Sequence, residues 1–169
     1  GSHVSDKLKT SCGVPQGSIL GPLLFLLYIN DISNCSSVLK FHLFADDTNI
    51  IYANKCPKVL EYQVNNELAK VQEWLIANKL TLNISKSNFV IFHSSKKNTY
   101  NRIMIRIYDP GQQRICFLER KEYVKYLGIL IDDHLSWKNH IDFLCNKISR
   151  IVGILSKLRH FLPTAILLK

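Results

Sequence analysis

The sequence lacks the features that mark secreted, zinc-binding or membrane-spanning proteins. Its five cysteines are an odd number, lie far apart and form no Cys-x-x-Cys pair. They therefore argue against a disulfide framework and a zinc site, and they suit an intracellular, reducing compartment, the nucleus or the cytoplasm. The six histidines show no ligand spacing either. The apolar run at residues 19–29 is too short to cross a bilayer and no signal peptide is visible, so we expect no membrane partner.

Acidic residues are scarce in two long stretches of the chain. Residues 79–106 contain six basic residues and no acid, and residues 138–169 contain six basic residues against Asp142 alone. The net charge is +9 over 169 residues. Basic fields of this kind attract polyphosphates, so nucleic acid is the leading partner, and a solubilising surface is the alternative.

What is present predicts a globular α+β protein. An apolar content of 47% with 21% charged residues excludes a disordered tail, and the length suits one domain or one domain with an appendage. We expect a helix over residues 23–32 that is apolar on all sides and therefore buried. An amphipathic helix over residues 60–75 should end near Asn78 and Lys79. Trp74 and Trp137 are expected in the core.

The strands are predicted from turn signals between apolar runs. Residues 39–44 and 49–52 flank Asp46 and Asp47, which predicts a β-hairpin with both acids at its tip. Further predicted elements are extended segments at 80–84 and 89–92, a hairpin at 103–108 and 114–118 around Asp109-Pro110-Gly111, and two strands within 124–131 bent at Gly128.

A second amphipathic helix is predicted from Trp137 onward. Its apolar positions recur at helical spacing, Ser136 is its expected N-cap and Pro163 its stop. We therefore expect a mixed unit over residues 1–133 and a basic helical extension over residues 134–169.

Asp46 and Asp47 are adjacent carboxylates, which repel each other unless a cation lies beside them. Mg²⁺ binds one or two protein carboxylates together with phosphate oxygens and water. Polymerases join a 3′-hydroxyl to a nucleoside triphosphate with two such ions held by carboxylates. Taken alone, the pair is better explained as an acidic hairpin turn, and it is the surrounding motifs that favour a metal site.

Five ordered motifs resemble those of the reverse transcriptases. Gly-Val-Pro-Gln-Gly-Ser-Ile-Leu-Gly-Pro-Leu-Leu-Phe at residues 13–25 resembles motif B, and Phe-Ala-Asp-Asp at residues 44–47 resembles motif C. Residues 74–86 are similar to motif D, and Tyr-Leu-Gly-Ile at residues 126–129 to motif E, the primer grip. Leu-Ser-Trp at residues 135–137 and the basic helix resemble the start of the thumb. The likeness is closest to the jockey and CR1 types of non-LTR retrotransposon.

The resemblance implies a fold and an activity. Residues 1–133 would be a partial polymerase palm, a ferredoxin-like βαββαβ sheet, and residues 134–169 the start of a helical thumb. The parent would be an RNA-directed DNA polymerase that extends a DNA primer on an RNA template, using dNTPs and two Mg²⁺ ions. The motif A strand, which carries the other metal-binding aspartate, has no match in the chain. We therefore expect the isolated chain to be inactive, and to mispair its strands, recruit residues 2–10 as a substitute strand or self-associate through unpaired sheet edges.

The resemblance also assigns roles to single residues. Asp46 would be a catalytic metal ligand and Asp47 a weaker partner in the same site. Lys86 would lie near the leaving pyrophosphate as a proton donor, with a solvated loop lysine as the alternative. Nucleotide and template contacts are implied for Pro15, Gln16, Gly17, Ser18, Phe44 and Ala45.

Primer and backbone contacts complete the implied site. Leu127 and Gly128 would position the primer end, although a simple strand bend explains them as well. Lys147, Arg150 and Lys157 would contact phosphates, although a solvated helix face is equally compatible.

Two other functions remain open at this point. A decayed or domesticated remnant could act as a nucleic-acid-binding or protein-interaction module, and it would show the same motifs. An unrelated α/β protein with a fortuitous acidic turn would require several independent coincidences.

Overall fold

The computed structural model describes residues 14, 17–94, 102–159 and 161 and divides the chain into two compact units, Gly1–Thr81 and Leu82–Lys169. Both units combine helix with short strand pairs, so the predicted α+β class is confirmed. The expected boundary between residues 133 and 134 stays a prediction.

Unit 1 begins with helix α1, Leu20–Ile29, which continues as a 3-10 helix, Asn30–Cys35. The expectation that this helix is buried on all sides is wrong, because Leu23 is 55% exposed and Leu27 68% exposed. Phe25 and then the C-terminal end of α1 contact the core of the unit. There Ile29 is buried in the core and the hydroxyl of Tyr28 donates a hydrogen bond to the carbonyl of Asn78.

Strands β1, Lys40–Phe44, and β2, Asp47–Ile51, form the first predicted hairpin. Helix α2, Pro57–Ala77, follows and carries a proline in its first turn, where the missing N–H costs nothing. Its end at Asn78 is confirmed. The Asn78 side chain donates to the carbonyl of Trp74 at 2.9 Å, and Lys79 leaves the helix at φ +55°.

The core of unit 1 lies between the 3-10 helix, β1 and α2. Ile29, Ile32, Leu39 and Val71 are buried there, and Trp74 packs against them, as predicted for this tryptophan. Burying these apolar side chains is the main stabilising contribution, at roughly 1.5–3 kcal/mol for each one fully buried.

Unit 2 consists of short strands followed by one long helix. The strands are β3 Asn88–Phe89, β4 Arg106–Asp109, β5 Arg114–Phe117, β6 Glu119–Arg120, β7 Tyr123–Tyr126 and β8 Ile129–Asp132. The hairpins β4–β5 and β7–β8 confirm two predictions, and β3 pairs with β6 in parallel. Residues 80–84 form no strand, and the segment predicted at 89–92 is reduced to β3. The buried core residues are Ile91, Ile103, Ile105 and Ile107.

Every sheet within the described residues has two strands. Neither β1 nor β2 pairs with a third strand among the described residues. The expected substitute strand at residues 2–10 lies outside the described residues.

Helix α3, Lys138–Leu158, closes unit 2, and its start differs from the prediction. Asp132 accepts hydrogen bonds from the backbone N–H groups of Ser136 and Trp137, each at 2.9 Å, and of His134 at 3.2 Å. The predicted N-cap Ser136 is wrong, because Trp137 occupies that position at φ +64° and the Ser136 Oγ lies 3.4 Å from the Lys138 nitrogen. Trp137 is 47% exposed rather than in the core. Pro163 lies outside the described residues.

Candidate active site and nucleic-acid interface

The two adjacent carboxylates lie at the tip of the β1–β2 hairpin. Phe44 pairs with Asp47, so the turn consists of Ala45 and Asp46 alone. Ala45 adopts φ +50°. Two-residue turns that match the twist of a β-hairpin require a positive φ at their first position. Asp46 therefore lies in the turn and Asp47 begins β2. Both side chains are exposed, as a site that meets a solvent-borne ligand requires.

The strands below the tip hold it in place. Phe41, Leu43 and Ile50 pack against the buried core of unit 1 and anchor the hairpin on one side. Phe44 is 58% exposed beside the acids, so it contributes an apolar surface at the tip.

The residues implied in nucleotide contact are described only in part. Gly17 forms a turn at φ +86°. The Ser18 Oγ accepts a hydrogen bond from the Gly21 backbone N–H at 3.0 Å and so fixes the start of α1. Pro15 and Gln16 lie outside the described residues.

Lys86 and the proposed primer-grip residues belong to unit 2, whereas the acids belong to unit 1. Lys86 is exposed in a turn whose backbone is held by Asn83, with the Lys86 N–H donating to the Asn83 carbonyl and side-chain oxygen at 3.2 Å each.

Leu127 and Gly128 form the two-residue turn between β7 and β8, at φ +46° and φ +89°. A turn with both residues at positive φ favours Asn-Gly, so a leucine here is a strained choice. Leu127 is also 49% exposed. An exposed apolar side chain held at a strained turn is typical of a contact surface.

Lys147, Arg150 and Lys157 are exposed on α3. They lie three and seven residues apart, which places them on one face of the helix. An apolar stripe occupies another face, and its members are all exposed: Ile141, Leu144, Ile148, Ile151, Leu155 and Leu158.

A family model described as "Reverse transcriptase (RNA-dependent DNA polymerase)" matches residues 2–131 of this sequence. The chain belongs to the reverse transcriptase family. The expectation drawn from the five motifs is thereby confirmed.

Known reverse transcriptases of mobile elements are similar to this chain. It is 31% identical over 144 residues to the "Probable RNA-directed DNA polymerase from transposon X-element" of Drosophila melanogaster, covering 83% of this chain and 15% of that protein. It is 26% identical over 140 residues to the "RNA-directed DNA polymerase from mobile element jockey" of Drosophila funebris, covering 78% of this chain and 14% of that protein. It is also 26% identical over 150 residues to the "Retrovirus-related Pol polyprotein from type-1 retrotransposable element R1 2" of Nasonia vitripennis, covering 86% of this chain and 35% of that protein.

This reverse transcriptase chain spans between 14% and 35% of the length of these relatives. No solved structure matches it significantly. Among the described residues, none of the helices combines the length and the apolar character that a membrane crossing needs.

Reverse transcriptases generally use divalent metal ions. The side chains of Asp46 and Asp47 fit such an ion in part, because they supply exposed carboxylate oxygens on a well-paired hairpin. Within the described ranges, no group of three or more His, Cys, Asp or Glu side chains includes either of them.

One cluster escaped the sequence analysis. His93, Asp133 and His134 bring potential ligand atoms within 4.8 Å of one another in unit 2. His93 and His134 are 41 residues apart, so no spacing motif could reveal the contact. The absence of ligand spacing along the sequence therefore did not reveal that these two histidines lie together in the fold.

Proposed function

We propose that this chain is the part of a non-LTR retrotransposon reverse transcriptase that carries the palm hairpin and the start of the thumb. The parent is an RNA-directed DNA polymerase that extends a DNA primer on an RNA template from dNTPs. The observation that carries the proposal is the exposed Asp46–Asp47 tip in a chain of this family.

Asp46 and Asp47 contribute carboxylate oxygens to a site for two Mg²⁺ ions. Bound cations of this kind lower the charge on the triphosphate and activate the attacking hydroxyl. The pair alone provides too few protein ligands. The remaining carboxylate belongs to a motif A strand that adds to an outer edge of the β1–β2 hairpin and completes a ferredoxin-like palm sheet.

The other residues place the substrates. The loop formed by Pro15, Gln16, Gly17 and Ser18 approaches the incoming nucleotide and the template base together with Phe44 and Ala45. We propose Lys86 as the proton donor to the departing pyrophosphate, as the family resemblance implies. The turn of Leu127 and Gly128 holds the primer end.

Lys147, Arg150 and Lys157 bind the phosphates of the primer–template duplex through the basic face of α3. Removing three phosphate contacts should weaken binding evenly across sequences and reduce the salt slope of log K by roughly two to three. The test is fluorescence anisotropy with a labelled RNA–DNA duplex at several salt concentrations, comparing the chain with a variant carrying alanine at all three positions.

The matched control removes three exposed lysines from unit 1, Lys40, Lys55 and Lys58. It lowers the net charge by the same amount, so an equal loss of binding in both triple variants would contradict the assignment to α3. A chain that fails to bind the duplex at low salt would contradict the polymerase proposal itself.

The isolated chain should not extend a primer, because the motif A carboxylate is missing. Incubation with an RNA template, a DNA primer, dNTPs and Mg²⁺ should yield no product, and extended product would contradict this.

We also propose that the outer edges of β1 and β2 let the isolated chain self-associate. Light scattering should then give a mass above the 19.5 kDa of one chain, and a strictly monomeric sample would contradict it.

A second candidate function is a nucleic-acid-binding or interaction module derived from such a polymerase. The exposed basic face and apolar stripe of α3 favour it, since both need no catalytic metal. Duplex binding without any activity of the complete protein would support this function instead.

A further inference from the structure

His93, Asp133 and His134 form a compact cluster at the base of α3. Asp133 and His134 follow directly after β8, and His93 lies in the segment after β3. The His93 Nε2 is 3.8 Å from one carboxylate oxygen of Asp133, and the His134 Nδ1 is 3.9 Å from the other. The two imidazole rings meet edge to face, with their centroids 4.7 Å apart.

Both imidazoles are oriented by backbone carbonyls. The His93 Nδ1 lies 3.1 Å from the carbonyl of Ser94, and the His134 Nδ1 lies 3.1 Å from the carbonyl of His93. A carbonyl oxygen can only accept, so each Nδ1 carries the proton and each Nε2 carries the lone pair. Metal-binding histidines almost always have this arrangement, in which one ring nitrogen donates to a carbonyl and the other binds the ion.

The backbone around the cluster is fixed before any ion arrives. The His93 N–H donates to the Asp133 carbonyl at 3.1 Å, and the Asp133 N–H donates to the Glu122 carbonyl at 2.8 Å. The His93 side chain is 9% exposed and that of Asp133 is 18% exposed, whereas His134 is 42% exposed. The ligands are thus held on two segments already joined by hydrogen bonds, with His134 at the solvent side as the entry point.

We propose that His93, Asp133 and His134 form a binding site for a divalent transition-metal ion of the Zn²⁺ class. Two imidazoles and one carboxylate suit zinc, whereas Mg²⁺ prefers oxygen ligands alone. Ligands about 2.0–2.2 Å from a tetrahedral Zn²⁺ lie roughly 3.3–3.6 Å from one another, so a small side-chain rotation closes the 3.8 Å between the His93 Nε2 and the Asp133 carboxylate. The exposed His134 ring has to turn about its side-chain bonds to bring its Nε2 to the ion. Three protein ligands leave the fourth position to water.

The bound ion cross-links two segments of unit 2. It joins the segment after β3 to the connection between β8 and α3, immediately after the carboxylate of Asp132 that holds the first turn of α3. Metal binding to a site that exists only in the folded chain stabilises the fold. The ion therefore raises the unfolding temperature of unit 2 and holds the base of α3 in place.

The test is calorimetric titration of the full 169-residue chain with Zn²⁺, alongside thermal melts with and without the ion. One Zn²⁺ should bind per chain and raise the melting temperature. His134→Gln should lower the affinity at least about 100-fold, because losing an outer partner of a ligand alone costs about 10- to 100-fold. His42→Gln, at an exposed histidine on β1 in unit 1, is the matched control and should bind as the unaltered chain does.

Equal Zn²⁺ affinity in the His134→Gln and His42→Gln variants would overturn the proposal, because the ion would then bind elsewhere, for example at a cysteine. A second measurement uses the unaltered chain, so its result does not depend on whether a variant folds correctly. In imidazole NMR spectra, Zn²⁺ should shift the Nε2 signals of two histidines and leave the others unchanged. Unshifted histidine signals at saturating Zn²⁺ would equally overturn it.

Discussion

Leu127 is a single residue at which the local conformation and the residue type disagree. It adopts φ +46° in a turn whose neighbour Gly128 is at φ +89°, and half of its side chain is exposed. A left-handed conformation costs a non-glycine residue roughly 1–2 kcal/mol. Asparagine tolerates this conformation better, so the strain at Leu127 is one that a different residue would relieve.

Leu127→Asn should stabilise the chain by about 1 kcal/mol and, if Leu127 holds the primer, weaken duplex binding. Denaturant unfolding and anisotropy measure the two effects separately. Gln113 is a matched control, since it adopts φ +50° between β4 and β5 and has no proposed contact. Gln113→Asn should stabilise without a change in binding. If the Leu127→Asn variant binds the duplex as the unaltered chain does, the proposed role of Leu127 in holding the primer is contradicted.

Glu67 is a second residue whose environment the sequence does not reveal. It is 5% exposed on α2, accepts a hydrogen bond from the Lys70 Nζ at 2.7 Å and lies beside Ser36. The hydrogen bond from Lys70 and then that from Ser36 hold the pKa of Glu67 below its ordinary value.

A lowered carboxyl pKa predicts how the stability of unit 1 depends on pH. The ionised form is favoured by folding, so its contribution is complete above the ordinary pKa of 4.5 and is lost as the pH falls through the lowered value. Glu67→Gln should therefore lower the melting temperature at about pH 7, and this difference should shrink as the pH falls through the lowered pKa of Glu67. A difference that stays constant over the whole acid titration would show that the charge of Glu67 contributes nothing.

At the scale of secondary structure, the sequence predicts those turns and helix ends that are determined by residues adjacent in the chain. The turns at Asp109-Pro110-Gly111 and Gly128, and the end of α2 at Asn78, follow from local chemistry and are confirmed. The start of α3, by contrast, is held by a residue that lies before the expected cap, in the preceding strand. Asp132, at the end of β8, accepts the backbone N–H groups that Ser136 was expected to cap.

Asp132→Ala should therefore unravel the first turn of α3, while Ser136→Ala should have little effect. The first change removes the acceptor of three backbone N–H groups. The second removes one hydroxyl, which lies 3.4 Å from the Lys138 nitrogen and donates to Asp132, and leaves those three backbone bonds in place. Amide hydrogen exchange at the start of α3 should be faster in the Asp132 variant alone. Faster exchange in the Ser136 variant instead would restore the sequence-based assignment of the cap.

At the scale of the whole molecule, tertiary contacts decide what the sequence leaves open. The apolar pattern of α1 predicts a buried helix, yet Leu23 and Leu27 are more than half exposed, because a pattern does not specify which surface covers it. The contact between His93 and His134 spans 41 residues and was invisible for the same reason. The acids at Asp46 and Asp47 were predicted correctly at a hairpin tip, because a two-residue turn between apolar strands is a local signal.

The account as a whole depends on the role of the carboxylates at that tip. The most direct measurement is primer extension by the complete polymerase that we propose contains this chain, with Asp46→Asn compared to Asp109→Asn. Asp109 is the last residue of β4, and it accepts hydrogen bonds from backbone N–H groups of the following turn, which asparagine can also accept. Losing a carboxylate from a catalytic metal site should cost several kcal/mol, or a rate reduction of roughly 100- to 1000-fold. We expect that loss for Asp46→Asn and near-normal extension for Asp109→Asn, and equal activity of the two variants would contradict the account.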